Sequence, residues 1–279
     1  MIELHKYSGA GNDFVVLDGR TEDDSTVLTP ERIAALCDRS SGFVAADGRI
    51  GADGLMILTD DPVYDFRMEY YNSDGSGGMM CGNGGRCIVA FADALGLKPA
   101  DGRVFRFVAA DGEHTGEILV RKGDCKTVRL RMIDVHEFHP ALDGWFLDTG
   151  TRHFVRFVPD VEAIDVEKEG RQARWDPLFA PIGANANFVS VDPDGTLRVR
   201  TFEKGVEAET LACGTGITAS AIAAYLTADA SLRPCFTTPA HASASFNIQA
   251  RIARLAVDFV PGDHCFTDVY LTGPADEIR

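Results

Sequence analysis

The chain contains no Cys-x-x-Cys pair; its seven cysteines are odd in number and widely spaced. No disulfide framework and no zinc-ligand spacing is indicated, and a reducing compartment suits such thiols better. Positive charge is scarce as well: 27 Lys and Arg stand against 42 Asp and Glu, a net charge of −15. Nucleic acid is thereby disfavoured as a partner, since phosphate binding needs a basic face. No apolar run is long enough to span a membrane, and Met1-Ile2-Glu3-Leu4-His5-Lys6 lacks a signal-peptide core. A cytoplasmic protein is the expectation. No low-complexity or Pro-rich linker is visible, so any domain junction is short. What is present is a chain of 279 residues, 45% hydrophobic, enough for one large or two medium domains with a substantial core.

Two stretches stand out from this background. One is Tyr71-Asn72-Ser73-Asp74-Gly75-Ser76-Gly77-Gly78-Met79-Met80-Cys81-Gly82-Asn83-Gly84-Gly85-Arg86-Cys87; the other is Leu211-Ala212-Cys213-Gly214-Thr215-Gly216-Ile217-Thr218-Ala219-Ser220. In each, a Cys precedes Gly-polar-Gly and then an apolar, Ala-rich run that reads as a helix. Each Cys therefore sits where a helix begins. The glycines leave the first backbone N–H groups uncovered, which suits an anion, and the helix dipole favours a thiolate.

Elsewhere short strands dominate. A strand, the turn at Ser8 to Asp13 and a second strand open the chain. Thr29 caps a helix with Pro30 at its first position. Strands are expected at Leu55–Leu58 and Phe66–Tyr71, and the helix after Cys81 stops at Gly96. Further strands are expected at Val104–Val108, Gly116–Val120, Thr127–Met132, Phe154–Val158, Phe188–Val191 and Leu197–Phe202. After the Cys213 helix come Phe246–Ile252, Leu255–Phe259 and Val269–Thr272. Four landmarks recur in the same order about 130–140 residues apart: Phe14-Val15 with Phe154-Val155, Gly51-Ala52 with Gly183-Ala184, the Asp74-Gly75 turn with Lys204-Gly205, and Cys81 with Cys213. The repeat predicts two similar halves of α/β (α+β) type, facing each other across a cleft, each giving one Cys.

Inverting a carbon centre needs a base on one face and an acid on the other. A thiol with pKa near ~8.5 is only slightly ionised at neutral pH, and a helix N-terminus raises that fraction. One Cys as thiolate takes a proton while the other, as thiol, gives one. Amides at Gly82, Asn83, Gly214 and Thr215 would neutralise the substrate carboxylate and stabilise the charge that develops. The other cysteines (Cys37, Cys87, Cys125, Cys235 and Cys265) read as small core residues. Six histidines (His5, His114, His136, His139, His241 and His264) read as surface or structural, whereas His153 stands inside the repeated turn. Glu207 reads as a solvated loop acid.

The pattern Asn72-x-Asp74-Gly75-Ser76-x-x-x-Met80-Cys81-Gly82-Asn83-Gly84-x-Arg86-Cys87 resembles the active-site signature of the diaminopimelate epimerases. Gly9-x-Gly11-Asn12-Asp13-Phe14 and Glu207-x-Glu209-Thr210-x-x-Cys213-Gly214-x-Gly216 resemble the same family, and the likeness runs to the Leu271-to-Ala275 tail. The resemblance implies an isomerase that needs neither PLP nor metal and interconverts LL- and meso-2,6-diaminopimelate, on the route to lysine and peptidoglycan. Its fold would be two pseudo-symmetric lobes of mixed sheet wrapped around a central helix. Expected lobes are 1–113 plus 266–279, carrying Cys81, and 114–265, carrying Cys213. The resemblance also implies substrate contacts from Asn12, Asn72 and Asn185. It has Gly82, Asn83, Gly214 and Thr215 on the reacting carboxylate, and Glu203 and Lys204 in place of a Glu-Arg pair. His153 would sit, with Glu203, near the thiols. A homodimer acting on a small amino acid, without nucleic acid or membrane, is expected.

Three positions depart from the family pattern. Thr151 stands where an Asn usually helps hold the distal end of the substrate, Lys204 where an Arg is usual, and Gly54 where some members have a side-chain amide. The rival activity is a cofactor-independent racemase of the proline or hydroxyproline type, disfavoured because Asn83 stands where those relatives usually have His. A rival of another class is a redox switch built on Cys81 and Cys213.

Overall fold

A computed structural model of the chain describes residues 3–20, 28–78, 81–228 and 243–279. The chain divides into two compact units, Met1–Leu130 with Gly273–Arg279, and Arg131–Thr272.

The first unit runs β1 (His5–Gly9), β2 (Asn12–Asp18), α1 (Pro30–Cys37), β3 (Gly54–Thr59), β4 (Phe66–Asn72), α2 (Gly82–Ala94), β5 (Val104–Ala109), β6 (Gly112–Lys122) and β7 (Cys125–Arg131). The second runs β8 (Glu137–Ala141), β9 (Gly144–Asp148), β10 (Arg152–Phe157), α3 (Val166–Arg174), β11 (Asn185–Val191), β12 (Leu197–Glu203), β13 (Ala208–Thr210), α4 (Gly214–Thr227), β14 (Ala244–Gln249) and β15 (Arg254–Pro261). β16 (Phe266–Glu277) begins in the second unit and ends in the first.

Pairing repeats between the units. β2–β3 and β4–β5 are parallel, and so are β10–β11 and β12–β14; the strands between them pair antiparallel. In the first unit the order β1 to β7 is completed by the last residues of β16, which pair with both β7 and β1, so the sheet closes. In the second unit, the first residues of β16 pair with β15 and bridge to Val135 just before β8. A closed sheet has no free edge to template aggregation.

Each closed sheet surrounds an apolar helix. Cys87 through Ala92 of α2 are all buried, as are Gly216 through Ala224 of α4. A helix apolar on every side is stable only when covered on every side. The hydroxyls of Thr218 and Ser220 in α4 donate to the carbonyls of Gly214 and Gly216 at 3.0 and 2.7 Å, so neither hydroxyl is buried unpaired.

The structure corrects several expectations. The units do not divide at 113 and 265. β6 pairs with β5 up to Val104↔Glu117, and β7 folds back on β6 up to Gly116↔Leu130, so the first unit extends to Leu130. β16 stays on β15 through Ala256↔Thr272, so the second extends to Thr272. β8, β9, β13 and α3 are additional to the expected elements. α3 reads Val-Glu-Lys-Glu-Gly-Arg-Gln-Ala-Arg, with few apolar residues and a central Gly; Asp165 caps it by accepting from Lys168 N. Cys37 and Cys87 are core residues, but Cys125 is exposed and Cys265 half-buried. Cys235, His241, Met79 and Met80 lie outside the described residues.

Candidate active site

Cys81 is the N-cap of α2, with extended backbone at φ −111° and ψ 153°. Gly84 N–H donates to its Sγ at 3.3 Å. The sulfur thus occupies the place of a capping oxygen, where first-turn N–H groups favour negative charge. Two residues on, Asn83 Nδ2–H donates to Asn12 Oδ1 at 2.6 Å, and Asn12 Nδ2–H donates to Asp53 Oδ2 at 3.0 Å. Asn12 reaches α2 because the β1–β2 turn is tight: Ala10 and Gly11 both have positive φ. Gly9 must be a glycine there, since a Cβ would stand 2.7 Å from the Asn83 carbonyl oxygen.

The hairpin is anchored from beneath. Asp13, almost fully buried, pairs with Lys6 Nζ at 2.8 Å and with Arg39 at 2.7 Å; Arg39 also bonds Asp53. Burial pushes the Asp13 carboxyl up, but the hydrogen bonds from Arg39 and Lys6 outweigh it and hold it below the usual carboxylate range. Asn72 is engaged in its own turn, with Nδ2–H on Ser76 Oγ at 3.0 Å.

Cys213 is the N-cap of α4, with φ −106° and ψ 111°. Its buried Sγ lies 3.4 Å from Thr215 Oγ1. Thr215 Oγ1 is in turn 2.9 Å from His153 Nε2 and 3.0 Å from Thr151 Oγ1, and Thr149 Oγ1 donates to the Thr215 carbonyl at 3.0 Å. His153, on β10, is fully buried. Its Nδ1 faces Asn187 Nδ2 at 3.1 Å; Asn187 Nδ2 also donates to the Phe154 carbonyl, and Asn187 Oδ1 accepts from Thr201 at 3.0 Å. That orientation of the amide makes His153 Nδ1 the acceptor and leaves the ring hydrogen on Nε2. Burial, reinforced by Lys204, pushes the imidazole down to about 3, so it is neutral. Gly216 lets α4 approach this pair, since a Cβ there would collide with Asn187 Oδ1.

The sequence-selected residues thus group by unit. In the first, Cys81, Gly82, Asn83 and Asn12 form one connected set, and Asn72 sits apart in its turn. In the second, Cys213, Gly214, Thr215 and His153 form one set. Asn185 joins it at the edge, with Nδ2 3.5 Å from Thr151 Oγ1 and Oδ1 accepting from Lys204 N at 2.7 Å. Glu203 ends β12, half-buried. Glu207 is not a solvated acid: it accepts from Arg174 Nε at 3.2 Å and from Gly205 N, with φ +58°. Sequence reading missed Asn187, Thr149, Asp53 and the Lys6–Asp13–Arg39 cluster. Asn187 carried a signal, since Asn-Ala-Asn in a strand sets Asn185 and Asn187 on one face.

Among the described residues no helix is long and apolar enough to cross a membrane, and no group of three or more His, Cys, Asp or Glu is placed to hold a metal ion.

A family profile described as diaminopimelate epimerase matches residues 4–125 and 145–237. A diaminopimelate epimerase of Flavobacterium psychrophilum is 38% identical over 280 residues, covering 99% of this chain and 98% of its own. One from Chlorobaculum tepidum is 41% identical over 223 residues, covering 78% and 81%. Among solved structures, a Bacillus anthracis phenazine biosynthesis protein of the PhzF family superposes with TM-score 0.72 at 14% identity, over 100% of this chain and 97% of its own. A hydroxyproline epimerase of Agrobacterium vitis, with trans-4-hydroxy-L-proline bound, does so at 0.65 and 16%, over 98% and 88%. At those identities the two structures bear on the fold alone. The profile and the sequence relatives span most of this chain, and the chain belongs to the diaminopimelate epimerase family.

Proposed function

We propose that this chain interconverts LL- and meso-2,6-diaminopimelate by proton transfer between two thiols, without PLP or metal. One observation carries the reading: two cysteines, each the N-cap of an apolar helix whose first turn is Gly-polar-Gly, recur at matching places in the two units. Relatives that align over 99% and 78% of the chain bear the name of this activity.

In the proposed step Cys81 and Cys213 act on one α-carbon from opposite faces. The thiolate takes the α-proton, the Cα–H bond breaks, and the electron pair is held as the opposite thiol delivers its proton to the other face. A new Cα–H bond of inverted configuration forms, and the two sulfurs have exchanged protonation states. The first-turn amides at Gly82 and Asn83 and at Gly214 and Thr215 take the reacting carboxylate and stabilise the charge that builds on it. Asn12, Asn72, Asn185, Glu203 and Lys204 hold the rest of the substrate. His153 acts through Thr215. Its Nε2–H donates to that hydroxyl, which turns the Thr215 hydrogen toward a thiolate at Cys213.

The test is proton NMR of LL-diaminopimelate in D₂O with purified protein and no added cofactor, beside proline and trans-4-hydroxyproline. Appearance of the meso isomer, with deuterium at the inverted centre, is expected for diaminopimelate alone. Turnover of the proline substrates with diaminopimelate untouched would overturn the proposal.

A further inference from the structure

Arg86 stands one turn into α2, with its side chain completely buried. Its hydrogen bonds go to neutral acceptors: Nη1–H to the Gly82 carbonyl at 3.1 Å, Nη2–H to Asn83 Oδ1 at 2.8 Å and Nε–H to the Pro274 carbonyl at 3.3 Å. Among the described residues it forms no ion pair with a carboxylate. A buried cation without a counter-charge is costly, so its presence calls for a function.

We infer that Arg86 is a positioning residue for the Cys81 half of the reaction. It fixes the Asn83 amide and keeps a positive charge beside the Cys81 thiolate. Two relations carry this. First, a guanidinium has only donors, so Asn83 Oδ1 must face it and the Asn83 NH₂ must face Asn12. The series Arg86, Asn83, Asn12, Asp53 runs from a pure donor to a pure acceptor, so every amide between has one orientation. Second, the charges that act on Arg86 are those of Cys87 and Cys81, whose thiolates favour its charged form, while burial outweighs them and holds it down at about 10. The coupling is reciprocal, so the guanidinium favours a thiolate at Cys81. Cys87 cannot be the ion served, because burial pushes its thiol far up despite Arg86. Arg86, bonded to the carbonyl of the residue after Cys81, is therefore a fixed charge that favours a thiolate there, beside the first-turn N–H of Gly84 that donates to the sulfur.

The inference rests on Cys81 acting as a thiolate in the proposed reaction, but its test needs no turnover. Iodoacetamide labelling of Cys81, mapped by mass spectrometry across pH 5–10, is compared for the wild type, Arg86→Gln and Arg86→Lys. Arg86→Gln should move the midpoint of Cys81 labelling up by about one pH unit, a tenfold slower reaction below it, while Cys213 stays in place. Arg86→Lys, which keeps the charge, should bring the midpoint most of the way back to the wild-type value. A folded Arg86→Gln protein with an unmoved Cys81 midpoint would overturn the inference. A second measurement on the native side chain covers an unfolded variant: the ¹⁵Nε resonance of Arg86 should titrate with the Cys81 labelling midpoint and stop doing so in Cys81→Ser. A resonance flat through that midpoint would equally overturn it. A protein that labels as expected yet leaves diaminopimelate unchanged would refute the proposed function and leave this inference standing.

Discussion

Asn187 donates its Nδ2–H to His153 Nδ1 across 3.1 Å, and that bond decides which ring nitrogen carries the hydrogen. Thr201, by donating to Asn187 Oδ1, keeps the amide from turning over. Asn187→Asp should reverse the polarity: a carboxylate accepts from Nδ1–H, and Nε2 becomes an acceptor that draws the Thr215 hydrogen away from Cys213. We expect kcat for epimerisation to fall about 10²-fold, with ¹⁵N NMR reporting the hydrogen on Nδ1 instead of Nε2. A variant with unchanged tautomer and full loss of rate would show that Asn187 acts by some other route.

The same histidine sets a pH dependence. In the unfolded chain it titrates near 6.5; in the fold, burial and Lys204 push it to about 3. As pH falls, the unfolded state therefore takes up the proton first. The stability tied to the neutral imidazole is full above pH 6.5 and is lost as pH falls toward 3, at about 1.4 kcal/mol per unit. Urea denaturation from pH 7 to 4 should show this slope, and His153→Gln should lose one proton's share of it.

The Lys6–Asp13–Arg39 cluster predicts a different failure. Asp13→Asn leaves the Lys6 ammonium buried beside a neutral amide, which should cost about 3–5 kcal/mol. The hairpin carrying Asn12 would loosen with it. Substrate KM should rise more than Cys81 labelling slows, which steady-state kinetics beside iodoacetamide rates would separate.

Both helix starts were legible because Gly-polar-Gly before an Ala-rich run permits little else, and the repeat followed from landmarks at nearly constant spacing. α3 was not, because Gly170 and a mostly charged face hide its periodicity, although it occupies in the second unit the place of α1 in the first. Nor was the role of Thr151. It stands where an amide was expected and instead shares its hydroxyl with His153 and Thr215, a relation that only the β10–α4 packing creates. Arg86 was visible only as one letter of a motif. Its burial depends on the sheet closing around α2, and closure needs β16, nearly two hundred residues away. The lobe boundaries failed for the same reason: long-range pairing decides where β7 and β16 leave one unit for the other.

The assignment of one thiol to each face of the α-carbon is tested most directly by α-deuterium washout from LL- and meso-diaminopimelate with Cys81→Ala and Cys213→Ala. Each variant should lose epimerisation by at least about 10²–10⁴-fold, since each turnover uses both thiols. Each should still wash deuterium slowly from the one isomer that its remaining thiol faces, and the two variants should prefer opposite isomers. Both should stay folded, because Cys→Ala at a helix N-cap leaves little cavity. Exchange of the same isomer by both variants, or epimerisation by either at close to the wild-type rate, would contradict the two-base assignment to Cys81 and Cys213.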